Sequence, residues 1–86
     1  MEKKEVLQKL NNQYFKSLKR FEKVYKKTNL YKKEIKAFNK GYLSLISAVL
    51  GGDANKISAS LYGNLFYIYA TDSEKDELNF ELFRTL

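Results

Sequence analysis

Apolar side chains recur along this chain at steps of three and four, the spacing that gathers them on one face of an α-helix. Leu7, Leu10, Tyr14, Leu18, Phe21 and Val24 or Tyr25 form the first such seam, with lysines over most of the remaining face. The spacing predicts an amphipathic helix over about 3–27. Thr28 and Asn29 carry polar side chains that can take over backbone hydrogen bonds, so a turn is expected there. Tyr31, Ile35, Phe38, Tyr42, Leu45 and Val49 form a second seam and predict a helix over about 29–50. Gly41 lies inside it at a cost of about 1 kcal/mol relative to Ala. It should either admit a close neighbour or mark a kink. Gly51-Gly52 supplies the left-handed residue that closes a helix, and Asp53 is a natural N-cap for the next.

The third segment is expected to run unbroken over about 54–70. Ile57, Leu61, Leu65 and Ile68 line one side, and Tyr62, Phe66 and Tyr69 thicken an adjoining one. Ser60 and Gly63 are small enough to let another helix come near. The aromatic stretch 65–71 would also suit a strand, but no partner strand is available. Thr71 followed three residues later by Glu74 has the spacing of a capping box. The last helix is expected over about 74–86, with Leu78, Leu82 and Leu86 on one line and Phe83 beside them. Four helices with short connections predict an all-α fold, an antiparallel four-helix bundle in one domain of 86 residues.

Composition narrows the chemistry. The chain has no Cys, His or Pro. Disulfides, Cys- or His-ligated zinc, thiol nucleophiles and imidazole bases are thereby excluded. No glycine-rich phosphate loop is present, since Leu50-Gly51-Gly52-Asp53 lacks the lysine and spacing of one. The acids Asp72, Glu74, Asp76 and Glu77 invite a calcium loop, but the sixth and twelfth positions counted from Asp72 are Glu77 and Phe83 rather than Gly and Glu. Helix capping explains them better. No cofactor, metal or catalytic residue is expected, and the chain reads as a non-enzyme.

Charge is unevenly spread. Residues 1–40 hold thirteen Lys or Arg against four Glu, a local net of +9, while residues 41–86 hold three against six acids, a net of −3. A basic half can attract nucleic acid, anionic lipid or an acidic protein surface. Lysine outnumbers arginine heavily, and only Arg20 and Arg84 could read phosphates or base edges bidentately, so nucleic acid is the weaker expectation. No stretch reaches the roughly 20 apolar residues of a membrane span, and no apolar run follows Met1-Glu2-Lys3-Lys4-Glu5. A cytoplasmic location is expected, with contact to the inner face of the membrane at most.

Tyrosine is the residue left to explain. Tyr14, Tyr31 and Tyr42 lie on helical seams and should pack with their hydroxyls at the rim. Tyr62, Phe66, Tyr67 and Tyr69 are too close in sequence for all to face inward from one helix. Part of this group should be exposed, and exposed aromatics are enriched at protein interfaces.

Three segments carry a family resemblance. Lys40-Gly41-Tyr42-Leu43-Ser44-Leu45 resembles the Lys-x-Tyr-Leu-x-Leu near the end of helix two in the immunity proteins of pediocin-like (class IIa) bacteriocin producers, the enterocin A immunity type. Asp53 falls where that family turns into its third helix, which would continue through Ile57, Leu61 and Leu65 to Tyr69-Ala70. Glu81-Leu82-Phe83-Arg84-Thr85-Leu86 is similar to the family's Glu-Leu-Ile-Arg-x-Leu in helix four. The resemblance covers roughly residues 30–86. It implies a cytosolic four-helix bundle that binds the mannose phosphotransferase membrane permease from inside once the bacteriocin has engaged it, and so blocks the pore. The basic half would sit near anionic lipid of the inner leaflet, at about 1 kcal/mol per Lys close to the surface. Recognition would lie in the C-terminal half, on Tyr62, Tyr67, Tyr69, Phe83 and Arg84. Two rival readings stand beside it. Gly51-Gly52 and Ile57-Ser58-Ala59-Ser60-Leu61-Tyr62 also resemble the third-helix region of flagellar export chaperones, and the basic helices could serve a small nucleic-acid-binding regulator.

Overall fold

A computed structural model describes residues 3–84, and within them the chain is all-α. Five helices follow in order: α1 (Lys3–Tyr25), α2 (Tyr31–Gly51), α3 (Ala54–Leu61), α4 (Leu65–Ile68) and α5 (Asp72–Phe83). Five rather than four is the main departure from expectation, and it arises where one helix was expected over 54–70. The predicted line through Leu86 lies outside the described residues.

α1 and α2 form an antiparallel hairpin whose cross-contacts fall in one constant register. Lys3 Nζ donates to the Leu50 carbonyl, the Tyr14 hydroxyl to Asn39, and the Tyr31 hydroxyl to Glu22, at 2.9, 2.6 and 2.8 Å. Residue numbers add to 53 in each pair, as they must when two helices run past each other in opposite directions. The turn between them is held by Thr28, whose hydroxyl donates to the Tyr25 carbonyl and accepts from the Leu30 N–H. The hydroxyls of Tyr14 and Tyr31 thus reach the rim while their rings pack inward.

Rings of α1, α2 and α4 form much of the core. Phe21 and Phe38, both fully buried, meet at 5.0 Å between centroids. Tyr14 stands against Phe38 and Tyr42, and Tyr42 against Phe66. Burial raises the pKa of Tyr42, and burial followed by the Glu22 charge raises that of Tyr14.

Local chemistry closes each helix. Gly52 takes the left-handed conformation at φ 68° and donates its N–H to the Ala48 and Val49 carbonyls. The Asp53 carboxylate accepts from the N–H groups of Asn55 and Lys56, starting α3. Thr71 and Glu74 exchange both bonds of the capping box that opens α5.

The interruption after Leu61 is centred on Asn64, which is buried and extended. Its Oδ1 accepts from the Phe66 N–H, capping α4, while its Nδ2 donates to the Ser60 carbonyl at the end of α3. One side chain satisfies both broken ends. The break moves the buried positions from Ile57 and Leu61 to Phe66 and Ala70, and turns Ile68 half out to solvent. Gly41 makes room for it: a Cβ there would stand 2.9 Å from Asn64 Oδ1. The close approach therefore occurs at Gly41. Gly63, expected to admit a neighbouring helix, faces open space at the turn.

Candidate functional site

The break that ends α3 also sets an aromatic pair at the surface of the C-terminal half. Leu61 is fully buried, and the chain leaves helical register at Tyr62, whose side chain is 57% exposed. Its ring meets that of Tyr67 edge-on, with centroids 5.6 Å apart and planes at 88°. Such a pair contributes about 0.5–1.5 kcal/mol beyond its burial. Tyr67 is in turn fixed from α5. Asn79 Nδ2 donates to its hydroxyl at 2.9 Å, and the Lys75 ammonium lies 5.5 Å from its ring centre. The result is an aromatic pair with a cation beside it, one ring exposed and the other half-buried and tied to α5; a ring held in place before binding loses less entropy on binding.

The five residues singled out from sequence separate into three groups. Tyr62 and Tyr67 stand together. Tyr69 turns the other way: its ring packs edge-on against Phe21 at 5.7 Å, and desolvation, then its hydrogen bond with Tyr25, raises its pKa. It is half-buried against the core, as Tyr67 is, but among different neighbours. Phe83 is half-buried against the same core from the end of α5. Arg84 is exposed, pairs with Glu81 at 3.2 Å and lies 5.2 Å over the ring of Phe80.

Phe80 was not among the sequence candidates, yet it is 63% exposed. Its position was legible, since two residues from Leu78 is roughly 200° around a helix and so opposite the buried line. Lys75 and Asn79, which orient Tyr67, gave no sequence signal.

The carboxylates nearest this surface are committed elsewhere. The Arg20 guanidinium grips Glu74, Nη2 to Oε2 at 3.1 Å, while the Thr71 N–H and Gln13 Nε2 donate to Oε1 at 2.9 and 3.0 Å. These bonds, Arg20's first, hold the Glu74 carboxyl down at about 2. Glu81 is likewise lowered, chiefly by its 2.7 Å bond from Lys9. Both are firmly ionised at neutral pH and are poorly suited to general acid work. Among the described residues, no group of three Asp or Glu could hold a metal ion, and no helix is long and apolar enough to cross a membrane.

Compared with protein-family models, with curated proteins and with solved structures, the chain matches none of them.

Proposed function

We propose that this protein acts by docking, without making or breaking bonds, and that it is an immunity protein of the pediocin-like bacteriocin kind. On this reading it binds a mannose-type phosphotransferase permease from the cytosolic side after the bacteriocin has engaged it, and closes the resulting pore. The observation that carries the reading is the Tyr62–Tyr67 pair, with Tyr62 exposed and Tyr67 half-buried against the core, fixed by Asn79 and flanked by Lys75. Rigid, amphipathic rings of this kind concentrate binding energy at protein interfaces. Supporting it are the all-α fold and the resemblance of Lys40–Leu45 and Glu81–Leu86 to the family's second and fourth helices. On this reading α3 and α4 together would stand where the family has its third helix.

The test is protection. Expression in a strain sensitive to pediocin-like bacteriocins should allow growth in the presence of at least one member of a panel. Tyr62→Ala combined with Tyr67→Ala should abolish that growth while leaving the helical circular dichroism unchanged. Failure to protect against any of the panel, from a folded and expressed protein, removes the reading.

A further inference from the structure

α2 and α3 leave between them an open groove of about 1190 Å³ on a face unrelated to the tyrosine pair. Along α2 it runs from Lys36 to Gly51, fifteen residue steps or about 22 Å of helix. Ser44, Ser47, Ala48 and Ala59 are among its lining residues, too short to fill it. Leu43, 64% exposed, stands as the one large apolar side chain of the lining. Lys36 and Lys40 lie on the α2 side, and Lys56 on the α3 side. None of the three enters an ion pair among the described residues. The single acid of the lining, Asp53, has its carboxylate engaged in capping α3.

From shape and charge together we infer that this groove receives an amphipathic α-helix of a partner protein, with small or apolar residues turned to the floor and acidic residues on both flanks. The length fits a helical segment of about fifteen residues, and small lining residues permit the 8–10 Å axial separation of packed helices. Lys36 and Lys40 are one helical turn apart, so they call for two carboxylates at i and i+4 on one flank. Lys56 calls for one on the other. A flat lipid surface would leave the concave floor unfilled. Phosphate backbones are better gripped by the bidentate fork of arginine, which the groove lacks. The inference rests on the groove alone and holds whether or not the protein protects against a bacteriocin.

The probe is a fluorescent, side-chain-stapled helical peptide of about 18 residues, roughly 27 Å long. It carries Leu and Ala on one face and Glu on both flanks. Controls are the same peptide with Lys in place of Glu, and one of identical composition with the amphipathic order scrambled. Phosphatidylglycerol vesicles and single-stranded DNA complete the set. At about 0.15 M salt, where surface charges are screened beyond roughly 8 Å, the acidic helix should bind saturably and the two control peptides at least about tenfold more weakly. Lys36→Glu, Lys40→Glu and Lys56→Glu together should weaken it roughly 30-fold, as three exposed charge contacts imply. Leu43→Ser should weaken it several-fold. Tyr62→Ala should leave it unchanged. Equal binding of the scrambled peptide, no response to the lysine reversals in a protein of unchanged helicity, or tighter binding to vesicles or DNA would overturn the inference.

Discussion

The molecule meets polar chemistry in different ways at two of its inter-helix seams. Between α1 and α5, Lys9 and Arg20 are spent on Glu81 and Glu74. Gln13 and Ser17 are buried on α1, Glu74 and Arg20 lock together beside them, and Glu81 takes Lys9 on one oxygen and Arg84 on the other. Between α2 and α3 the charges are unspent, and three lysines line a groove with only a capped aspartate for company. A seam whose polar groups satisfy one another supports the fold. A seam whose charges find no partner within the chain contributes little to stability and is available for a ligand. The difference teaches which half of the polar surface to interrogate for structure and which for function.

The largest test of this contrast is at Glu74. Glu74→Ala strips partners from Arg20, Gln13 and the Thr71 N–H at once. It should cost about 2–3 kcal/mol in urea-induced unfolding, less than a fully buried pair would, because Arg20 is partly in solvent. A loss under about 0.5 kcal/mol would mean that the α1–α5 network does not support the fold. Next in size is Gly41→Ala. A helical Gly→Ala change ordinarily gains up to about 1 kcal/mol. Here the new methyl meets the Asn64 amide, which cannot withdraw without releasing its bonds to Phe66 and Ser60. A net loss of about 1–2 kcal/mol is expected. Gly63→Ala, facing open space, should be close to neutral, and the pair of melting curves makes the comparison internal.

A smaller and pH-dependent effect follows from the depressed carboxyl of Glu74. Its folded-state pKa of about 2 lies below the unfolded value near 4.3. The stability it contributes is therefore fully present above the unfolded value and is lost as pH falls toward 2. Denaturation measured from pH 6 down to pH 2 should show this acid slope, and Glu74→Gln should flatten it. Smallest of all is reversal of charge in the groove. Lys40→Glu should change stability by no more than about 0.5 kcal/mol. A larger loss would mean that the groove lysines are structural after all, and would erase the distinction between the two seams.

Features written in short-range chemistry were legible from the sequence. The left-handed Gly52, the Asp53 cap and the Thr71–Glu74 box each depend on side chains within a few residues of the backbone groups they satisfy, so spacing alone located them. The seam of α2 was legible for the same reason, its apolar period being clean from Tyr31 to Val49. What failed was the phase beyond Leu61. Apolar periodicity favoured one long helix, but Gly63-Asn64 carries a turn signal and a strong N-cap, and that local preference wins once Gly41 makes room for the amide. On α1 the seam through Leu7, Leu10, Tyr14, Leu18, Phe21 and Tyr25 does face the core, with Leu10 and Phe21 fully buried and the rest packed against it; Val24 is half out, and the buried line also takes in Val6, Gln13 and Ser17, which the apolar count passed over. Gln13 and Ser17 are polar, and their burial is made possible by the bond from Gln13 to Ser17 along α1 and by the bond from Gln13 across the seam to Glu74. The aromatic group at 62–69 was expected to be divided between core and surface. Which rings went where followed from the break, placing Tyr62 outside, leaving Tyr67 half-buried beside it, burying Phe66 and turning Tyr69 toward Phe21.

The central claim is that this chain works by presenting a folded surface that protects a cell. It is tested most directly by the survival of a bacteriocin-sensitive strain expressing either the native chain or the Tyr62→Ala, Tyr67→Ala variant at matched levels. The account predicts survival with the first and killing with the second. Killing with both, or survival with both, would contradict it.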